Sequence, residues 1–180
     1  MIGIPNNAEV IGGSVQVIIQ AMGNVKEMGL RVLKENGVDT NVPPDGWVNL
    51  EKWINSLKAI EKSFGPNTLF MIGKKVPEII PFPKLDFVAA MNGINVNYIN
   101  SHKNIDKTSN YYKFTKKGEK SAIIVCANPY PSDFDRGLIA GLSRKFAPTN
   151  TTSLVEVELD TTLPSRKSGA VSCTYNLTWK

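Results

Sequence analysis

Histidine is almost missing from this 180-residue chain: His102 is the only one. That removes zinc centres built on two or three imidazoles and the HExxH arrangement of metalloproteases. A Ser-His-Asp triad would have to use His102, and no GxSxG elbow accompanies it. Cysteine is nearly as scarce. Cys126 and Cys173 are the two thiols, and there is no CxxC pair. A bridge between them would need an oxidising compartment, and spacing alone does not show one. No apolar run is long enough to span a bilayer. The start, MIGIPNNAEV, lacks the basic region and apolar stretch of a secretory leader. The expectation is a cytoplasmic chain with free, buried thiols and no membrane span.

What is present suits a folded globule. Apolar residues make up 42% and charged residues 21%, enough for a core under an ordinary surface. The net charge of +5 permits an acidic partner without demanding one. Six lysines fall between Lys103 and Lys120, around Tyr111, Tyr112 and Phe114. Stacked bases would explain that cluster. Lysines at a hairpin edge also block aggregation, and no RNP-like, KH or helix-turn-helix signature appears. Nucleic acid is therefore not an expected partner.

The length suits a single domain, residues 1–180, with a mainly helical half (1–102) and a ββαββ half (103–180). Residues 8–12 read as a short strand. Gly12-Gly13 breaks it and Ser14 is placed to cap the next helix. From Val15 to Asn36, apolar residues recur at helical spacing, with Gly23-Asn24 able to split the stretch. Its Met- and Val-rich face, 15–33, is the expected surface of a homodimer. Asn49 caps a helix over 50–64, Gly65-Pro66 starts another, and PEIIPFPK reads as a rigid connector. A third main helix covers 84–102. Its end puts Tyr98 and His102 four apart, on one face.

The closing third is the most strongly patterned. SAIIVCA is an apolar strand, and Asn128-Pro-Tyr-Pro-Ser132 is a sharp corner. Ser132 reads as an N-cap, with Asp135 as the acidic member of a capping box. Phe134, Leu138, Leu142 and Phe146 form an apolar ridge on the helix. Gly137 and Gly141, four apart, leave room for a close neighbour, the sheet being the first expectation. Residues 154–160 alternate. In the last strand Val171, Cys173, Tyr175, Leu177 and Trp179 lie on one face and polar residues on the other. The fold class is α+β: N-terminal helices packed on an antiparallel sheet with a C-terminal ββαββ unit.

The segments NPYPSDFDRG (128–137) and RKSGAVSCTY (166–175), with the glycine-bearing helix between them, resemble the 4-vinyl reductase domain family. That superfamily also takes in haem-based nitric-oxide sensing domains and Golgi transport-particle subunits. A branch of uncharacterised bacterial proteins is similar in a Tyr-x-x-x-His pair like Tyr98 and His102. It often carries cysteine where this chain has Ser132 and Ser165. The resemblance implies a cavity between helices and sheet that holds a small, hydrophobic molecule.

The expected function is a non-catalytic ligand-binding or sensing domain. Ligand-binding candidates are Tyr98, His102, Cys126, Phe134, Arg136, Arg166, Cys173 and Tyr175; no catalytic residue is assigned. Further candidate lining residues are Trp53, Phe70, Phe82 and Met91. The cofactor is unknown. One alternative is haem or gas sensing, with His102 as the single axial-ligand candidate. A solvated His102 at a fraying helix end is the plainer reading of that residue. Another alternative is a dimeric scaffold of the same fold. Asp133, Asp135 and Arg136 could be read as an acid-base group. Helix capping accounts for both aspartates, and no nucleophile joins them, so an enzyme is not expected.

Overall fold

The computed structural model describes residues 3–149 and 151–180. The chain is α+β, as its patterning requires. Strand β1 (Glu9–Ile11) leads directly into α1 (Gly12–Ala21). A 3-10 turn at Gly23–Val25 divides α1 from α2 (Lys26–Glu35), where the glycine takes a φ of 54°. Then come β2 (Trp47–Asn49), α3 (Leu50–Phe64), α4 (Pro66–Ile79), α5 (Phe87–Ser101) and β3 (His102–Lys103). The second half is β4 (Tyr112–Gly118), β5 (Ser121–Cys126), α6 (Ser132–Lys145), β6 (Glu156–Leu159) and β7 (Cys173–Thr178). A small sheet runs β2-β1-β3, and a four-stranded antiparallel sheet runs β4-β5-β7-β6.

Local chemistry sets most boundaries. Asn49 caps α3 by accepting from the Lys52 amide at 3.0 Å, and Asp86 caps α5 by accepting from Ala89 at 2.7 Å. Ser14 is not a cap. Helix α1 starts two residues earlier, because the Gly12 and Gly13 amides bond the carbonyls of Gly46 and Pro44 at 2.7 and 2.8 Å. A side chain at Gly12 would stand 2.0 Å from the Pro43 oxygen. Helix α4 runs through Pro77 to Ile79, so the connector is shorter than expected.

The glycines of α6 face a helix rather than the sheet. A Cβ at Gly137 would meet the Phe70 carbonyl oxygen at 2.1 Å, and one at Gly141 the Lys74 oxygen at 2.4 Å. Gly73 returns the contact: its Cβ would meet the Phe134 oxygen at 2.3 Å. Helices α4 and α6 therefore cross backbone to backbone, an approach that side chains would prevent.

One apolar core runs from Ala8 to Trp179. Tyr175 and Trp179 are 1% and 8% exposed, so the inner face of the last strand is covered. Val171 is 54% exposed, since β7 begins only at Cys173. Much of the stretch expected to form a dimer surface is used inside the chain: Val15, Ile18, Ile19, Met22 and Leu33 are buried, and Met28 stays exposed.

Candidate functional site

Between α1, the end of α4, α5 and α6 lies a cavity of about 850 Å³. That is the size of a small-molecule site. Its floor and walls include Val17, Ile18, Ile79, Ile80, Phe82, Leu85, Ile94, Phe134, Leu138 and Leu142. The ridge expected on α6 faces this space through Phe134, Leu138 and Leu142, and Val96, 59% exposed, marks an edge open to solvent. Among the described residues, no lysine, arginine, aspartate or glutamate lines the cavity; its polar groups come from Ser, Asn, Tyr and His102.

His102 follows α5 and is 4% exposed, so it is not the solvated residue at a frayed end that its neighbours Ser101 and Lys103 suggested. The four-residue spacing stacks Tyr98 on the imidazole, with ring centroids 4.0 Å apart. Nδ1 lies 2.7 Å from the Tyr98 carbonyl oxygen, and a carbonyl only accepts, so that nitrogen carries the proton. Nε2 is then the acceptor, and the Tyr130 hydroxyl donates to it at 3.1 Å. Burial lowers the His102 pKa to about 4, partly offset by the Tyr98 carbonyl. The ring is neutral at ordinary pH. Tyr98 brings a second polar group: its hydroxyl is buried and has no hydrogen-bond partner among the described residues.

Tyr130 is placed by the Pro-rich corner. Its amide donates to Asn128 Oδ1 at 2.8 Å, closing an Asx turn, and its ring stacks on Phe134 at 5.4 Å. Asn128 Nδ2 in turn donates to Asp135 at 3.1 Å. Asp135 is fully buried and also accepts from the Tyr112 hydroxyl at 2.6 Å and from Arg166 at 2.5 Å. Arg166 donates further to the carbonyls of Cys126 and Asn128 at 2.8 and 3.0 Å. Burial pushes the Asp135 carboxyl up, while Arg166, Tyr112 and Asn128 pull it down. A hydrogen-bonded chain thus leads from the cavity's histidine through Tyr130, Asn128 and Asp135 to Arg166 and the β5 backbone.

This corrects the reading of the corner. Ser132 is not an N-cap: Pro131 occupies that position, and the Ser132 hydroxyl sits 3.2 Å from Cys173 Sγ. Asp135 is the centre of the buried network, with no capping-box role. Asp133 keeps to the helix end, paired with Arg136 at 3.4 Å and Lys167 at 2.8 Å.

The residues singled out by sequence separate into three places. Tyr98, His102 and Phe134 line the cavity, as does Phe82. Cys126, Cys173 and Arg166 lie behind it. The two cysteines are direct cross-strand partners on β5 and β7, both fully buried, and burial pushes the Cys126 thiol well up, away from reactivity. Arg136 and Tyr175 line a separate cleft of about 350 Å³ with Asn67, Asp133 and Lys167. The cavity lies among helices, not against the last strand, because α6 covers that strand: the Tyr175 hydroxyl donates to the Ser132 carbonyl at 2.6 Å. Trp53 and Met91 are plain core. Tyr130, Tyr112 and Asn128 were not among the expected ligand-site residues, Tyr112 having been weighed only for base stacking and Asn128 only as part of the corner; the Asn two residues before Tyr130, in a Pro-rich corner, was the available signal.

No protein-family model matches the chain, and no curated protein matches it in sequence. Solved structures do. An H-NOX protein from K. algicida, a point mutant in the Fe(II) unliganded state, superimposes with a TM-score of 0.67 at 12% identity, covering 94% of this chain and 96% of that one. The Tt H-NOX domain, also a point mutant, gives 0.66 at 14% identity, with 94% and 95% covered. An oxygen-binding H-NOX domain related to soluble guanylate cyclases, in its oxygen complex, gives 0.63 at 14% identity, with 94% of each chain covered. This chain has the H-NOX fold. The resemblance to 4-vinyl reductase domains is overturned, since the structural neighbours are H-NOX domains. The two local segments behind that resemblance form the buried corner and the entry to β7.

Proposed function

We propose that the chain acts as one small-molecule sensing domain, its ligand held in the cavity beside α5 with His102 and its neighbours as the polar end. One observation carries this reading: a neutral histidine of defined tautomer, buried beside a cavity of about 850 Å³ walled by buried and half-buried apolar side chains. An apolar cavity with few convergent polar groups is the usual form of a ligand site. The core that runs through both halves of the chain supports a single domain. The chain of hydrogen bonds through Tyr130, Asn128, Asp135 and Arg166 is the route by which a shift at His102 reaches the sheet. Native mass spectrometry of the purified protein tests the reading: a retained mass in the parent chain, lost in Leu138→Trp, is expected. A parent chain that neither retains nor takes up any apolar molecule refutes it.

Haem held through His102 is the second reading, and the fold favours it: one structural neighbour comes from work on haem distortion in the H-NOX family. The imidazole fits an iron, being neutral with Nδ1 tied to a carbonyl. The remainder of the group does not fit. Tyr130 already occupies the Nε2 lone pair. Haem also brings two carboxylates, and no cation among the described residues lines the cavity. Lys145, over the Phe82 ring, is committed to the carbonyls of Pro77 and Ile80. An unpaired carboxylate taken out of water costs on the order of several kcal/mol. Hemin titration separates the two readings: a Soret band lost in His102→Ala supports haem, and its absence removes it.

A further inference from the structure

The four-stranded sheet is covered on one side only. Helices α5 and α6 pack on the face that carries Phe114, Ile124 and Tyr175. Among the described residues no helix packs on the opposite face, and it sorts its charge by strand. On β4, one edge of the sheet, Lys113 pairs with Val125 and so points outward, and Lys117 stands in the bulge at the end of that strand. On β6, the other edge, Glu156 and Glu158 point outward opposite Thr178 and Asn176. All four charged side chains are exposed, and none has an ion-pair partner among the described residues. Surfaces ordinarily intersperse the two signs, and opposite charges pair across adjacent strands. Here β5 and β7 keep the edges apart by three strand spacings, about 14 Å, beyond the screening length of about 8 Å at physiological salt. Between the edges, Ile123 and Val125 of β5 form a half-buried apolar strip that is not part of the core.

We infer that this face docks on the same face of a second copy of the chain. A two-fold axis lying between the copies, parallel to the strands and midway between β5 and β7, exchanges the two edges. It lays β4 of each copy over β6 of the other, so both acidic edges meet basic ones. Glu158 comes opposite Thr115 of the second copy, between its Lys113 and its Lys117, because all these pairs share the register of one sheet. The strips of Ile123 and Val125 meet diagonally across the axis, an apolar centre inside a charged rim. The other in-plane axis, across the strands, would set lysine on lysine and glutamate on glutamate. This face is distinct from the 15–33 stretch, much of which the core takes up. Four strands and three outward rows cover roughly 400–500 Å² on each partner, the low end of specific interfaces. The dimer is therefore weak, with a Kd on the order of 100 μM, and depends on salt.

Sedimentation equilibrium of the full chain tests this. A monomer–dimer equilibrium is expected at low salt, weakened roughly tenfold or more at about 0.5 M salt. Reversing one edge, in Glu156→Lys/Glu158→Lys, should abolish the dimer, as should Lys113→Glu/Lys117→Glu. Mixing these two variants should restore it, since each then offers both edges of one sign to a partner of the other. That rescue also shows that both variants are folded. A short bismaleimide reads the alignment, because Cys126 and Cys173 are buried and leave the added thiol as the reactive one. Thr115→Cys mixed with Glu158→Cys should cross-link, and neither variant should cross-link with itself. A parent chain that stays monomeric at low salt overturns the inference. So does a dimer indifferent to salt or to the edge reversals, which would use another face. Cross-linking of Thr115→Cys to itself, with none in the mixture, overturns the two-fold arrangement.

Discussion

Protonating His102 should destabilise this protein, and the chain's single histidine makes the effect separable. The folded ring has its pKa lowered to about 4, chiefly by burial, whereas in the unfolded chain it titrates near the ordinary value of about 6.5. Below that value the unfolded state takes up a proton that the folded state refuses. Stability therefore rises with pH across the window between the two values and is lost as pH falls through it. For these two values, linkage gives a loss of about 2 kcal/mol on going from about pH 7 to about pH 5. Carboxylates add their own pH dependence at the acid end, so the comparison must be with His102→Gln, which keeps polar atoms and removes the titration. Urea unfolding of both proteins at several pH values supplies the measurement. The difference in slope between them should account for the 2 kcal/mol, to within about one. An NMR titration of the lone imidazole gives an independent value. Parallel pH profiles for parent and variant, or an imidazole titrating near its ordinary value, would show that the ring is not sequestered as described.

Other expectations follow from the same contacts. Arg166→Met leaves the fully buried Asp135 without its cation and should cost about 3–5 kcal/mol in denaturant unfolding. With the main opposing charge gone, the carboxyl's folded pKa rises further, so this deficit should shrink as pH falls; adding Asp135→Asn should restore much of the loss. Gly137→Ala drives a methyl into the Phe70 carbonyl and should lower the melting temperature sharply, as overpacking by about 1–3 kcal/mol does in a domain of this size. Gly93→Ala, on the cavity side of α5 with open space around it, should instead stabilise by about 1 kcal/mol through helix propensity. Equal effects at the two glycines would contradict the described crossing of α4 and α6.

Much of the architecture was legible in the chain. Period-two alternation placed β7, with Cys173, Tyr175, Leu177 and Trp179 inward, because a strand turns every second side chain to the same face. Asn49 and Gly65-Pro66 marked helix ends, since caps and prolines act within a turn of where they stand. The Tyr98–His102 spacing put both rings on one face, and they stack. These are short-range relations, and local sequence carries them.

The site was not local, and there the reading fell short. Asp135 resembles a capping residue when only its own helix is considered. Arg166, thirty-one positions away, and Tyr112, twenty-three away, make it a buried anchor instead. The glycines at 137 and 141 announce a close approach, but only the packed chain shows that α4 is the neighbour. His102, polar and flanked by Ser101 and Lys103, carries no sign of burial in its own neighbourhood. Tyr130 and the surrounding helices enclose it. By itself, the sequence determined which stretches are helix or strand and which face of each is greasy, because those follow from periods of a few residues. Whether the greasy faces meet in a solid core or stand apart around a chamber was decided by the helix crossings, and those depend on contacts between residues far apart in the chain.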